Sequence, residues 1–311
     1  MMIAIRKNAL QWLKNMVPEY PQFKDLDIKD WEILAEHLSK IKRTICELVL
    51  ANIVIWKDFD CPKLTMVNQN LCVLINPLNE LSYFLEPLGH NKIEETVKIC
   101  LSHTKRISRA SESFVSSLPK NLYHPTCLPG QYDYVYSIPE LAQLSGKKFD
   151  AKRNHIKKFL SRYPDHGFVN LTAENKDKAI RLFEKWFESK KDSRSFSKMA
   201  YVAQKSALDS AFDNFNELKL AGGAILIKEE IKSFYIGSKL NNDTIDLHFH
   251  YCDPNTAGLS QFSLQKACSD SFSSYKYINL EQDIGIAGLR KSKLSYHPLK
   301  IEKKFEIKRP L

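Results

Sequence analysis

Between residues 279 and 300 the chain reads NLEQDIGIAGLRKSKLSYHPLK, with two carboxylates, two glycines and a cationic cluster in one short stretch. Arg290 and Lys293 stand three apart, so on a helical turn they share a face. Such a pair can hold a phosphate, or steady the oxyanion formed when an ester carbonyl is attacked. The arginine would act as a planar fork and the lysine as a point charge. Plain surface charge is the competing reading. Glu281 and Asp283 stand two apart, which on a strand end points both the same way. One could take a proton as a general base, or both could orient Arg290 through a buried ion pair. Asn279 is expected to serve the backbone. Gly285 and Gly288 flank the turn into a short helix, where a missing Cβ lets a ligand or another backbone come close.

A second cationic stretch, SGKKFDAKRNHIKKFLSRYP at 145–164, carries Lys147, Lys148, Lys152, Arg153, Lys157 and Lys158 with Asn154 among them. A row of this kind can follow a phosphate backbone, with binding that weakens steeply as salt rises; a solvated basic face is the alternative. The segment HFHYC would point His248, His250 and Cys252 one way on a strand, with Asp246 in line. A zinc site needs three or four converging ligands and a supporting shell. No second His/Cys cluster lies nearby in sequence, so no metal is expected. No Ser-His-Asp or Cys-His signature stands out.

These residues must be positioned by a scaffold, and the patterning outlines one. Helical spacing runs through DIKDWEILAEHLSKI, and TICELVLANIVIW reads as a second helix or a buried run. KLTMVNQNLCVLI alternates around a polar turn, a hairpin pattern. LSYFLEPL and YDYVYS read as strands, KIEETVKICLSHT as a helix, and the basic segment as a helix over about 152–162, ended by Pro164. NKDKAIRLFEKWFESKK and MAYVAQKSALDSAFDNF are amphipathic. The stretch from Ala221 to Asp253 reads as a run of strands, followed by a helix, the strand YKYINLE, the short helix GLRKSKLS and a closing strand IEKKFEIKR. Paired helices, an antiparallel meander and a helix between later strands therefore occur twice. The order is α+β and matches tandem GNAT-like (acyl-CoA N-acyltransferase-like) domains with mixed, mostly antiparallel sheets flanked by helices. The expected limits are an N-terminal helical segment over 1–24, a first domain with its basic linker helix over 25–164, and a second domain over 165–311.

A net charge of +10 favours an anionic partner. Seven scattered cysteines without a CxxC pair do not form a disulfide framework. No apolar run is long enough to span a bilayer, and MMIAIRKNALQWLKNM lacks a signal-peptide cleavage pattern. A cytoplasmic location is the expectation.

The stretches YDYVYSIPELAQLSGKKFDAKRNHIKKF and NLEQDIGIAGLRKSKLSYHPLKIEKKF resemble bacterial proteins grouped with the C-terminal domain of phosphatidylglycerol lysyltransferases. Three patterns carry the likeness: an aromatic-Asp-Tyr strand, an L-x-G-K-x-x-x-x-K-R-N helix start, and N-x-E-x-D-x-G-x-x-G-L-R-x-x-K near the end. The resemblance implies a tandem GNAT fold and transfer of an aminoacyl group from a charged tRNA to an amine or hydroxyl. The candidate catalytic residues are Lys293, Arg290, Asp283 and Glu281, and the resemblance, through an Arg-x-x-Lys-like element, supports Lys293. The candidate substrate contacts are Asn279, Gly285, Gly288, Tyr134, Lys147, Lys148, Lys152, Arg153 and Asn154, of which Arg153 and Asn154 match the family's K-R-N. Ordinary acetyl-CoA enzymes of this fold carry Q/R-x-x-G-x-G/A at a helix start, where backbone N–H groups cradle pyrophosphate. Here the equivalent DPNTAGLSQ has Gly258 alone, which favours a donor such as aminoacyl-tRNA over acyl-CoA. An acyl-CoA-dependent N-acyltransferase and a non-catalytic RNA- or protein-binding module are the alternatives.

Overall fold

The computed structural model describes residues 17–190 and 197–308. Of the N-terminal segment expected to be helical, residues 1–16 lie outside the described residues. Residues 17–24 form no helix; Glu19 bridges to Met66, and the first strand begins at Lys24.

Two compact units form, and their limits differ from the expected boundary near residue 164. The first takes residues up to Lys42, Phe59–Cys127 and the chain's last residues from Lys304. The second takes Arg43–Asp58 and Leu128–Lys303, including the whole basic helix.

The first unit is built on a seven-stranded sheet. Its strands are β1 (Lys24–Asp25), β2 (Lys63–Val67), β3 (Asn70–Ile75), β4 (Tyr83–Phe84), β5 (Arg106–Ser111), β6 (Thr126–Cys127) and, from the far end of the chain, β14 (Lys304–Lys308). The order is β1-β2-β3-β4-β5-β14-β6. The expected hairpin is β2–β3, and both of its turn residues, Asn68 and Gln69, adopt positive φ, as a tight two-residue turn requires. β4 and β5 run parallel, bridged by the helix Ile93–Thr104. Leu74, Phe84, Val97, Ile107 and Ile307 lie in its core.

The second unit repeats that plan. Its strands are β7 (Asp133–Ser137), β8 (Gly167–Asn170), β9 (Ala221–Ile227), β10 (Glu230–Lys239), β11 (Thr244–Cys252), β12 (Tyr277–Asn279) and β13 (Lys300–Glu302). They are ordered β13-β7-β12-β11-β10-β9-β8. Read from β8, an antiparallel meander is again followed by one parallel pair, β11–β12. The tandem GNAT-like reading therefore holds, with an exchange the sequence did not reveal. The sixth strand of each sheet comes from the other half of the chain: β14 in the first, β7 in the second. The closing strand IEKKFEIKR is accordingly two strands divided at Lys303, one in each sheet.

Neighbouring residues on a strand face opposite ways, and β10 shows what covers each face. Phe234 meets Phe212 of the helix Lys198–Asp213, whereas Tyr235 meets Phe272, just past the helix Leu259–Lys266. The latter helix packs on the basic helix Asp150–Arg162, with Phe262 stacked on Phe159 at 4.9 Å. Gly258 makes that approach possible. Its φ is +82°, and a Cβ there would stand 2.1 Å from the His155 carbonyl oxygen. Gly258→Ala is therefore expected to cost about 2–4 kcal/mol from the left-handed backbone and the overlap together. Urea unfolding checks this; an unchanged midpoint contradicts it.

Candidate active site at the β11–β12 fork

β11 and β12 pair over only three residues, from Thr244–Tyr277 to Asp246–Asn279, and then part. β11 continues to Cys252 while β12 ends, so a fork opens beyond Asp246. A bulge sits at its mouth. On β10, Ile236 and Gly237 are consecutive, but their partners on β11 are Phe249 and Leu247. His248 is the extra residue, and a bulge of this kind re-aims side chains and interrupts regular pairing.

The chain leaving β12 is irregular, with Glu281 and Ile284 at positive φ (56° and 46°) and Gly285 at 79°. The expectation that Glu281 and Asp283 point the same way fails for this reason, since strand alternation ends at Asn279. Glu281 turns to His248, with Oε1 3.1 Å from Nδ1. Asp283 is fully buried and gathers four donors. These are the Tyr134 hydroxyl at 2.6 Å, the Gly285 N–H at 2.8 Å, and Arg290 Nε and Nη2 at 2.7 and 3.1 Å. Of the two roles considered for these carboxylates, Asp283 takes the ion pair with Arg290. Burial works to raise the Asp283 carboxyl, but the bonds from Arg290, Tyr134 and Gly285 outweigh it and hold it below its ordinary value. Burial, followed by the neighbouring Asp283, pushes the Tyr134 hydroxyl up.

Lys293 lies one turn beyond Arg290 on the helix Ala287–Leu294. Its ammonium donates to the carbonyls of Leu280 and, at 3.0 Å, Glu281, and stands 5.7 Å from the Tyr134 ring. Burial pulls it below the usual lysine value, against the opposing charges of Glu281, Asp133 and Asp283. The two cations thus clamp the 280–285 loop from either side. Arg290 borders a depression of about 520 Å³, open to solvent, with Gly285, Ala287, Lys291 and Leu294. Gly288 sits in the first helical turn with open space beside it.

Asn279 does more than serve the backbone. Its Oδ1 accepts the Glu281 N–H at 2.7 Å, while its amide donates to Asp133 at 2.9 Å. Asp133 is fully buried and also accepts the Cys46 N–H at 2.8 Å. This polar layer joins β7, β12 and the Cys46–Leu48 turn. Sequence reasoning missed Cys46, whose thiol donates to Gln282 Oε1 at 3.0 Å, and Ser238, 2.7 Å from His248 Nε2; Asp133 and Gln282 lie inside quoted patterns but were not singled out as site residues.

The basic helix divides into two groups. Arg153 donates to the Leu144 and Gly146 carbonyls and pairs with Asp150, closing the end of the helix Ile138–Gln143. Lys152 reaches Ser295 at 2.6 Å and lies 3.8 Å from the Tyr296 ring, and burial lowers its ammonium below the ordinary value. These two are structural contacts. Lys147, Lys148, Asn154, Lys157 and Lys158 are exposed, with Lys148 bonded to Glu140 at 3.1 Å. His250 and Cys252 face each other at 3.4 Å further along β11, away from Glu281's side chain partners; burial lowers His250 to about 4 and raises Cys252 to about 11.

The double plan is that of tandem GNAT-like domains, and sequence comparison gives the family. The model of the family "Phosphatidylglycerol lysyltransferase, C-terminal" matches residues 38–308, and the chain belongs to that family. A conserved protein of unknown function from Bacteroides thetaiotaomicron superposes with a TM-score of 0.84 at 25% identity, covering 95% of this chain and 100% of that one. L-PGS from Bacillus licheniformis superposes at 0.62 with 13% identity, covering 94% of each chain, a likeness of fold. An uncharacterised protein of Mycoplasmoides gallisepticum is 25% identical over 177 residues, 57% of this chain and 56% of that protein. The chain thus aligns with a little over half the length of that relative. Among the described residues, no helix is long and apolar enough to cross a membrane.

The Asp283 cluster makes two stability predictions. Arg290→Ala leaves a buried carboxylate without its cation, so it is expected to be less stable than the Asp283→Asn/Arg290→Ala double variant. Equal or reversed unfolding midpoints contradict this. Because the folded Asp283 value is depressed, its stabilisation is fully present above the unfolded carboxylate value and is lost as pH falls through the folded one. Asp283→Asn should flatten that acid limb in pH-dependent unfolding, whereas a limb of unchanged slope would count against the cluster.

Proposed function

We propose that this chain moves an aminoacyl group from a charged tRNA to an amine or hydroxyl acceptor, at the β11–β12 fork of the second unit. The observation that carries the reading is the convergence on this fork of Asn279, Glu281, Asp283, Arg290 and Lys293, all from the segment that carries the family resemblance. An ester donor needs its carbonyl held and the charge developing on oxygen stabilised. Lys293 uses two N–H groups on backbone carbonyls; an ammonium has three, and the third is assigned here to the oxyanion. Arg290, Asp283 and Tyr134 are positioning residues that fix the loop. The acceptor nucleophile attacks the ester carbonyl, the tetrahedral oxyanion collapses, and the tRNA ribose oxygen leaves with the proton lost by the nucleophile.

The helix start that would otherwise cradle a pyrophosphate supports an aminoacyl donor over acyl-CoA. At Gly258 the His155 carbonyl fills the close-approach position, and an oxygen acceptor there repels phosphate. Lys147, Lys157 and Lys158 supply exposed cations for the tRNA backbone.

Filter binding over a salt series with aminoacylated and uncharged tRNA, together with a transfer assay using a hydroxylamine acceptor, tests this. Lys293→Ala is expected to lower transfer by about 10²–10³-fold with tRNA binding retained. Lys147→Glu/Lys157→Glu/Lys158→Glu should weaken tRNA binding and reduce its salt dependence. Transfer undiminished in Lys293→Ala overturns the site; tRNA binding without any transfer points instead to a binding module.

A further inference from the structure

The fork contains a second cluster, apart from the Arg290–Lys293 clamp. Asp246 and the His248 side chain are fully buried, and Glu281 is largely so. The His248 Nδ1 stands 3.1 Å from Glu281 Oε1 and 3.4 Å from Asp246 Oδ2. The other ring nitrogen, Nε2, is 2.7 Å from the Ser238 hydroxyl. These ligand atoms lie within 4.8 Å of one another.

We propose that Asp246, His248 and Glu281 form a divalent transition-metal site, zinc being the best fit. Three observations carry it. Ligands bound about 2.1 Å from a tetrahedral zinc ion stand roughly 3.4 Å apart, which matches both separations from Nδ1. An imidazole that binds metal through one nitrogen normally donates its other N–H to an oxygen; Ser238 is placed to accept from Nε2, leaving the Nδ1 lone pair for the ion. His248 and Asp246 stand two apart on β11, so both point to one side, and the loop beyond β12 brings Glu281 to the same ring nitrogen. The set differs from the one considered on sequence grounds: His250 and Cys252 contact each other, and Glu281 arrives from beyond β12. The neighbouring group Cys46, Glu47 and Asp133 is a weaker candidate, since Asp133 Oδ2 already accepts from the Cys46 N–H and the Asn279 amide.

Three protein ligands leave a tetrahedral ion one position for water or substrate, where it can polarise an oxygen. The site does not depend on the identity of the donor, so its test is independent of transfer.

The full chain is analysed for bound metal as purified, stripped with chelator and titrated with zinc, manganese and cobalt, following thermal stability and the visible cobalt spectrum. About one zinc per chain is expected, with a raised unfolding temperature and a tetrahedral cobalt spectrum. Glu281→Gln and His248→Ala should abolish both, and His250→Ala should retain them. Ser238→Ala keeps every ligand and is expected to weaken binding about 10–100-fold; it remains informative if a ligand variant fails to fold. Absence of metal from the purified chain, together with no response to any of the three ions, overturns the proposal, as does zinc binding of equal affinity in His248→Ala. Stabilisation by methylammonium and by none of the metals assigns the carboxylates to an amine ligand and also overturns it.

Discussion

A carboxylate buried without charge compensation is costly enough to drive its own neutralisation, and Asp283 is buried completely. Its four donors come from three parts of the chain: a strand supplied by the first half, the loop it belongs to, and the helix that follows. Satisfying it therefore fixes how β7, the 280–285 loop and the helix Ala287–Leu294 meet. Gly285 donates its N–H to Asp283 and then takes a φ of +79°, a conformation that glycine adopts without the usual Cβ penalty. Lys293, one turn on, completes the arrangement by holding the loop's carbonyls.

The exchange of sixth strands explains why Tyr134 takes part. β7 is contributed by the earlier half of the chain but pairs with β12 and β13. Asp133 and Tyr134 are consecutive on it, so they face opposite ways. One anchors the Cys46 turn and Asn279, the other anchors Asp283. A single strand thereby supports both sides of the loop. The same loop carries Glu281 to His248, linking the clamp to the fork.

Much of this was legible locally. The β2–β3 hairpin, the basic helix and the short cationic helix follow from alternation, helical spacing and turn chemistry, all short-range properties. The pairing of Asp283 with Arg290 was legible as one of two options, because a carboxylate and a guanidinium stand close together in one short stretch. Strand exchange was not legible: Lys303 interrupts the apolar alternation of IEKKFEIKR, but a break in alternation does not assign the two pieces to different sheets, which only tertiary pairing does. The His248–Glu281 contact was also hidden. It depends on the loop beyond β12 and a left-handed Glu281, neither of which alters the residue pattern. Among the basic residues, type alone could not separate Lys152 and Arg153, which satisfy a hydroxyl and carbonyls, from the exposed Lys157 and Lys158.

The central claim is that Asp283 holds the 280–285 loop in place and thereby shapes the fork. Hydrogen–deuterium exchange of the folded chain, compared with Asp283→Ala under conditions where both remain folded, addresses it most directly. Faster exchange confined to peptides spanning residues 279–296 and the neighbouring β7 and β11 segments is the predicted result. Unchanged protection of the 280–285 amides in the variant would show that the loop stands without its carboxylate, and the account would be wrong.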